Sequence, residues 1–184
     1  MKQTTTAIRM LVMLTLLTGA AYPAFMTVVG ETLFPEQAGG SLVRVNGTVV
    51  GSTLVAQKFE SPAYFHPRPS ACDYATVASG ASNLSPASKK LAEAVAERRA
   101  ANGGEAERGG REMLFTSGSG LDPEIRPQSA LAQIPRIMRA RGMSRESLER
   151  LVGNLTTDRA LGFLGQKRVN VLRLNLALDA LPDK

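Results

Sequence analysis

The stretch MLVMLTLLTGAAYPAFMTVVG, Met10 to Gly30, decides how this chain is organised. It contains no charged side chain, and no other run in the sequence is as long without one. As a helix it extends about 32 Å at roughly 1.5 Å per residue, enough to cross a hydrocarbon core of about 30 Å. Lys2 and Arg9 precede it, and the first charges after it are Glu31 and Glu36. The positive-inside bias then predicts a cytoplasmic N-terminus and an exterior remainder. Residues 1–34 are expected to form a short stub and a transmembrane helix, and residues 35–184 one extracytoplasmic domain. A cleaved signal peptide is the competing reading, with Met10 to Leu17 as its apolar region and Gly19-Ala20-Ala21 or Ala21-Tyr22-Pro23-Ala24 as its small-residue exit. Phe25, Met26, Val28 and Val29 carry the apolar character on to spanning length, which favours an uncleaved anchor. Pro23 sits mid-span and predicts a break in the backbone ladder and a kink, best tolerated where a neighbouring helix packs.

Composition narrows the function classes. The 184 residues carry a formal charge of +6, from 22 basic and 16 acidic side chains. That is too sparse for the dense basic footprint of a nucleic-acid domain, so no nucleic-acid partner is expected. Some 150 residues beyond the anchor suffice for one core. With six Phe, three Tyr and no Trp, that core must rest on aliphatic side chains. Cys72 is the only cysteine, which excludes an intrachain disulfide, and no cysteine lies near the end of the apolar run to take a lipid.

Downstream the patterns mix strand and helix, so the fold class is α+β. Pro35 to Ser41 reads as a linker. Leu42 to Leu54 reads as strand material folded at Asn46-Gly47, a strong hairpin signal, and Leu54 to Gln57 is expected to continue the sheet. Ser61 to Ser85 is a long loop rich in Pro, Ser and Gly, whose Tyr64, Phe65 and Tyr74 predict that it packs on something. A helix is expected from Ser85 or Pro86 to Asn102, with Leu91, Ala94, Val95 and Arg98 along one side. Gly103 to Arg111 reads as a mobile surface loop. Gln128 to Arg139 reads helical, although Pro135 should interrupt it. Ser144 to Leu155 reads as a capped helix with Leu148, Leu151, Val152 and Leu155 as its apolar stripe. Val169 to Leu181 fits a strand passing into a short helix.

Catalytic patterns are thin. His66 is the only histidine, so no histidine cluster for a metal exists, and a Ser–His–Asp arrangement would depend on this one loop residue. Thr116-Ser117-Gly118-Ser119-Gly120-Leu121-Asp122-Pro123 is the most suggestive turn. Its successive N–H groups could form an anion nest, which makes Ser117, Gly118, Ser119, Gly120 and Asp122 weak candidates for holding a cofactor. No GxxxxGK[ST] accompanies it, and a tight turn with positive-φ glycines explains it better. Arg136, Arg139, Arg141, Arg145 and Arg150 read as a solvated basic face, or else as a docking surface.

The ordered set of segments resembles the C subunit of the Kdp-type potassium-transporting ATPase, the KdpC family. It comprises GSTLVAQKF (51–59), YFHPRPSA (64–71), SGASNL (79–84), SGSGLDP (117–123), QIPR (133–136), ARG (140–142) and RVNVLRLN (168–175). With the anchor, the similarity covers nearly the whole chain. Ala56 and Ala81 stand where that family tends to have glycine, and Gly103 to Phe115 lacks its usual lead into SGSGLDP.

The resemblance implies a heteromeric potassium-uptake complex in a bacterial inner membrane. Its channel-like A subunit selects potassium, its P-type ATPase B subunit hydrolyses ATP, and a small F peptide stabilises it. The C subunit is expected to be non-catalytic and without a cofactor, with ATP and potassium handled by its partners. The family is also described as a catalytic chaperone that contacts ATP. Cytoplasmic ATP conflicts with an exterior SGSGLDP loop, so a scaffold role is expected instead. The candidate partner contacts are Pro23 in the anchor, Tyr64, Phe65, Arg68 and Ser70 in the first loop, and Asn83, Asp122, Arg136 and Asn170 beyond it. A membrane-anchored hydrolase using Ser117 or Ser119 and a secreted binding protein are the alternative classes.

Overall fold

A computed structural model describes residues 2–181 and divides the chain into two compact units between Val50 and Gly51. The first unit is dominated by the apolar run. Helix α1 (Lys2–Leu16) passes through a π-turn (Leu17–Ala21) into α2 (Tyr22–Leu33). Together they form a helix long and apolar enough to cross a membrane, with none of it buried in the protein. The break expected at Pro23 is accommodated differently. A proline cannot donate to the carbonyl four residues back, and its ring crowds that carbonyl. Here the turn before it widens, and the Tyr22 N–H reaches back five residues to the Leu17 carbonyl. The backbone stays helical on both sides, with Pro23 in the first turn of α2. Thr18 and Thr27 donate their hydroxyls to the Leu14 and Pro23 carbonyls at 2.7 and 2.9 Å, so these polar side chains are satisfied within the helix.

A single turn, α3 (Pro35–Ala38), leads to β1 (Leu42–Val45) and β2 (Thr48–Ser52). The strands pair as the Asn46-Gly47 signal predicts. Both turn residues take positive φ, 50° and 80°, which suits the two-residue hairpin. The expected extension of the sheet through Leu54–Gln57 does not form. The chain turns there, and the Ala56 N–H instead binds the Leu121 carbonyl at 2.9 Å.

The second unit is built around α5 (Pro127–Arg141), α6 (Arg145–Asn154) and α7 (Val171–Asp179), which pack beside a small antiparallel sheet. That sheet has the order β3 (Glu124–Ile125), β5 (Arg168–Asn170), β4 (Thr156–Thr157). Ile125 and Thr156 both stand opposite Val169. The core joins Ile134 and Ile137 of α5, Leu148 and Val152 of α6, and Leu174 and Leu178 of α7 to Val169 and Phe65. Helix α6 begins as its sequence predicts: the Ser144 hydroxyl accepts from the Ser147 N–H at 3.3 Å, an N-cap that offsets one orphan donor. Asn170 ends β5 and caps α7 in the same way, accepting from the Arg173 N–H, so the strand passes directly into the helix.

Three expectations are corrected here. Helix α4 (Lys89–Ala101) starts later than Ser85, with Ser88 as its N-cap, although Leu91, Ala94, Val95 and Arg98 do form its half-buried face. Helix α5 runs unbroken through Pro135. The carbonyl that Pro135 leaves without a helical donor belongs to Leu131, on the exposed side of the helix, where water can reach. Gly103 to Arg111 is a surface loop only in part: Gly103, Glu107, Arg108, Gly109 and Arg111 are exposed. Glu105, Ala106 and Gly110 are buried, and the turn Ala106–Gly110 lies on α5. Gly110 makes this possible: a Cβ there would fall 2.8 Å from the Glu105 carbonyl oxygen and 3.4 Å from the Ala132 Cβ.

Candidate functional site

The two loops that the sequence marks as unusual, Ser61 to Ser85 and Thr116 to Pro123, lie against the helical core and against each other. The first is anchored by Phe65, which is fully buried. Removing such a side chain from water is worth about 1.5–3 kcal/mol. Its backbone cannot pair with a strand, so two side-chain amides act in place of one. Asn175 of α7 accepts from the Phe65 N–H at 2.8 Å and donates to the Phe65 carbonyl at 2.9 Å. Gln133 of α5 treats His66 alike, at 2.8 and 3.0 Å. Consecutive peptide groups are thereby held by two different helices.

Two arginines of α5 complete the clamp. Arg136 donates to the Pro62 and Tyr64 carbonyls at 2.7 and 2.8 Å, to Gln133 Oε1 at 2.7 Å and to Glu105 Oε1 at 2.9 Å. Arg141 donates to the Ala63 carbonyl at 2.9 Å and to Asp179, and lies 4.8 Å from the Tyr64 ring centroid. The Tyr64 hydroxyl reaches the same Asp179 at 3.1 Å. These two residues were expected on a solvated basic face, and they are instead internal fasteners of the loop. Arg139, Arg145 and Arg150 remain exposed. The run of arginines in the sequence carried no information about the chain crossing over them.

His66 directs Nε2 to the Ser61 carbonyl at 3.0 Å. Since a carbonyl only accepts, Nε2 bears the proton. Burial and the neighbouring Arg136 charge push its pKa below the ordinary histidine value, and the Ser61 contact opposes them.

The second loop is joined to the first at several points. The Ser117 N–H donates to the Pro69 carbonyl at 3.0 Å, and Arg68 Nη2 to the Thr116 carbonyl at 3.0 Å. Arg68 also pairs with Asp122 at 3.6 Å. The Ser79 hydroxyl donates to the Ser119 carbonyl at 2.9 Å. Ser70 Oγ accepts from the Cys72 and Tyr74 N–H groups at 3.2 and 3.0 Å, and the Tyr74 hydroxyl closes the turn on the Arg68 carbonyl at 2.9 Å. Gly120, at φ 72°, sits where the two loops leave no room for a side chain. A Cβ there would meet Cys72 Sγ at 2.6 Å and the Gly80 carbonyl oxygen at 2.9 Å. Ser70 lowers the pKa of the half-buried Cys72 thiol, against an opposing effect of burial.

Within SGSGLDP most polar groups serve the fold itself. Ser119 Oγ accepts from the Leu121 N–H, and Asp122 Oδ1 accepts from the Glu124 N–H, each at 3.1 Å. The Ser117 hydroxyl is buried and has no partner among the described residues. Gly118 and Ser119 are exposed. Asn83 is exposed at positive φ, 50°. Asn170 donates to the Thr53 carbonyl at 2.8 Å in addition to its capping role. The structure thus brings Arg68, Ser70, Ser117, Gly120 and Asp122 into one assembly of loops. It places Tyr64, Phe65 and Arg136 in the clamp beside that assembly, and Asn170 at the β5–α7 junction.

Among the described residues no three His, Cys, Asp or Glu side chains gather as a metal site. Neither Ser117 nor Ser119 has its hydroxyl bonded to a basic side chain. Sequence reasoning missed the amide clamp of Gln133 and Asn175. The only available signal was that an uncharged polar residue occupies an apolar position in each of α5 and α7.

A family model described as K+-transporting ATPase, c chain (KdpC) matches residues 4–180. The chain is similar to the potassium-transporting ATPase KdpC subunit of Geobacter sulfurreducens, at 48% identity over 98% of this chain and 99% of that one. It is 45% identical to the subunit of the same name from Rhodopseudomonas palustris, over all of both chains. The KdpC subunit of Klebsiella pneumoniae is 46% identical over 97% of each.

Proposed function

The chain belongs to the KdpC family of K+-transporting ATPase c chains, and from that premise we propose that it serves its potassium-transporting complex as a non-catalytic assembly scaffold. In this reading the N-terminal helix spans the membrane once, with its N-terminus in the cytoplasm. The second unit stands outside and rests on the channel-like subunit. ATP hydrolysis belongs to the P-type ATPase subunit and potassium selection to the channel-like one, with a small stabilising peptide completing the assembly. This chain holds no ATP or potassium of its own.

The observation that carries the reading is the way the two loops are joined. Arg68, Ser70, Gly120 and Asp122 spend most of their polar groups on one another and on local backbone, as does the Ser117 N–H, while the Ser117 hydroxyl and Arg68 Nε are buried without a partner among the described residues; this builds a fixed surface rather than a reaction centre. A surface whose shape is set before contact loses little conformational entropy on docking. The alternating Lys2/Arg9 and Glu31/Glu36 flanks support the orientation.

The test is the triple substitution Arg68→Ala, Ser119→Ala, Asp122→Ala, in the chain co-expressed with its partner subunits. The expected result is a lower yield of intact complex and a weaker apparent potassium affinity. Complex yield and potassium affinity both equal to those of the unsubstituted chain would overturn the proposal. Unchanged yield with a weakened ATP affinity would point to the catalytic-chaperone alternative.

A further inference from the structure

Between β4 and β5 the chain leaves the fold for ten residues, DRALGFLGQK, Asp158 to Lys167. The excursion is closed at its base by a Lys167–Asp158 ion pair at 2.7 Å and again by a bridge between Ala160 and Leu164. Its tip presents three large apolar side chains to solvent: Leu161 is 83% exposed, Phe163 69% and Leu164 51%. No other described loop in the second unit carries three such residues so close together. The tip is also shaped. The Gly162, Phe163 and Leu164 N–H groups are turned inward onto the Arg159 and Ala160 carbonyls. Leu161 takes φ 53°, a left-handed conformation that strains an L-residue and that a glycine would adopt freely. The strained residue is therefore the one whose side chain projects furthest.

Beside the tip lies a cleft of about 910 Å³, lined by Arg126, Gln128, Arg159, Gln166 and Lys167, with Asp158 as its one acidic wall residue. Arg126 is offset by Glu112 and Lys167 by Asp158, whereas Arg159 has no ion-pair partner among the described residues. The cleft thus keeps a positive surplus and several donors next to an apolar knob.

We propose that the 158–167 hairpin and its basic cleft are a docking surface for another protein subunit of the potassium-transporting complex. That subunit would supply an apolar pocket for Leu161 and Phe163 and a carboxylate-bearing segment for the cleft around Arg159. The positive surplus selects an acidic partner by charge complementarity. The fixed, strained tip beside a polar cleft suits a shaped protein pocket better than a lipid surface, which rewards apolar area without demanding a shape. The inference rests on the chain acting within a multi-subunit complex. Exposed aromatic anchors of this kind are where interface energy concentrates.

The experiment uses the full chain, tagged and co-expressed with its partner subunits. Leu161→Gly/Phe163→Ser removes the knob and relieves the strain, and Arg159→Glu reverses the cleft charge. The expected result for each is about a tenfold or greater drop in partner subunits recovered, with the melting temperature of the full chain not lowered. Undiminished recovery overturns the proposal. So does undiminished recovery combined with lost binding to phosphatidylglycerol vesicles, which would make the tip a lipid contact, or with lost self-association, which would make it a contact between copies. Deleting the whole chain is the parallel control: if the complex still assembles and transports, the scaffold reading itself fails. If the chain is required and the hairpin variants are silent, only the docking assignment fails.

Discussion

His66 enters the fold as a neutral side chain, because burial and the Arg136 charge disfavour its protonated form and the Ser61 carbonyl only partly compensates. The unfolded chain binds a proton at the ordinary histidine value of about 6.5, and the folded chain binds it only at lower pH. Between those two values the unfolded state holds more protons, so stability falls as pH falls. His66 therefore contributes fully above the unfolded value, and its contribution is lost as pH drops through the folded one. Thermal melting of the full chain in detergent across this range should show the decline, and His66→Gln should flatten it. Equal slopes for the two proteins would mean that other groups govern acid stability. In the sequence His66 was legible only as a loop residue between Phe65 and Pro67. Which groups would press on it was illegible, since Gln133 and Arg136 lie some seventy residues away.

Helices and turns separate what local sequence encodes from what it does not. Ser144, the Asn46-Gly47 turn and the passage from Val169 into α7 were readable, because caps, turn residues and periodicity act within a few residues of one another. The 103–111 segment was partly misread because charge and glycine usually mark solvent-exposed chain. Its buried part depends on Glu105 meeting Arg136 across 31 residues of sequence, and on a glycine that lets the turn approach α5 closely. Loops were read as candidate contacts, and the clamp beneath them went unseen, because Gln133 and Asn175 show their purpose only when the loop crosses them. The clamp can be weighed directly. Arg136→Ala leaves the Glu105 carboxylate buried without its partner and takes the arginine's donors from the Pro62 and Tyr64 carbonyls, a change expected to cost about 3–5 kcal/mol. Glu105→Gln should cost less, since an amide can still accept from Arg136. Denaturant unfolding of the two variants should rank them in that order. A cost below about 1 kcal/mol for Arg136→Ala would show that the loop is held chiefly by Phe65.

For the molecule as a whole, the decisive quantity is which side of the membrane the second unit occupies. Cys72 reports on it: it is the only cysteine, it is partly accessible, and Ser70 favours its reactive thiolate. A membrane-impermeant maleimide applied to intact spheroplasts should label it, and permeabilisation should add little. Labelling that requires permeabilisation but no denaturant would place the unit in the cytoplasm and reverse the orientation proposed above. The long apolar N-terminal helix, the α+β character and the family were legible because each is spread over many residues. The 158–167 hairpin was passed over because a ten-residue excursion with two glycines carries no periodic signal, and its exposed apolar tip is visible only in three dimensions.

The loop that Asn175 and Gln133 hold is made early in synthesis, and its holders come late: the Phe65–Asn175 contacts span 110 positions. A growing chain therefore has the 61–69 segment long before it has anything to fasten it with. Until α7 has emerged, Phe65 lacks its Asn175 partner and remains an incompletely covered aromatic on a half-fastened loop, a natural target for chaperones or proteases. Closure of the fold acts as a receipt for a completed polypeptide. Chains that terminate before α7 should lack the joined loops altogether, so partial translation products would be kept out of the complex by their own geometry.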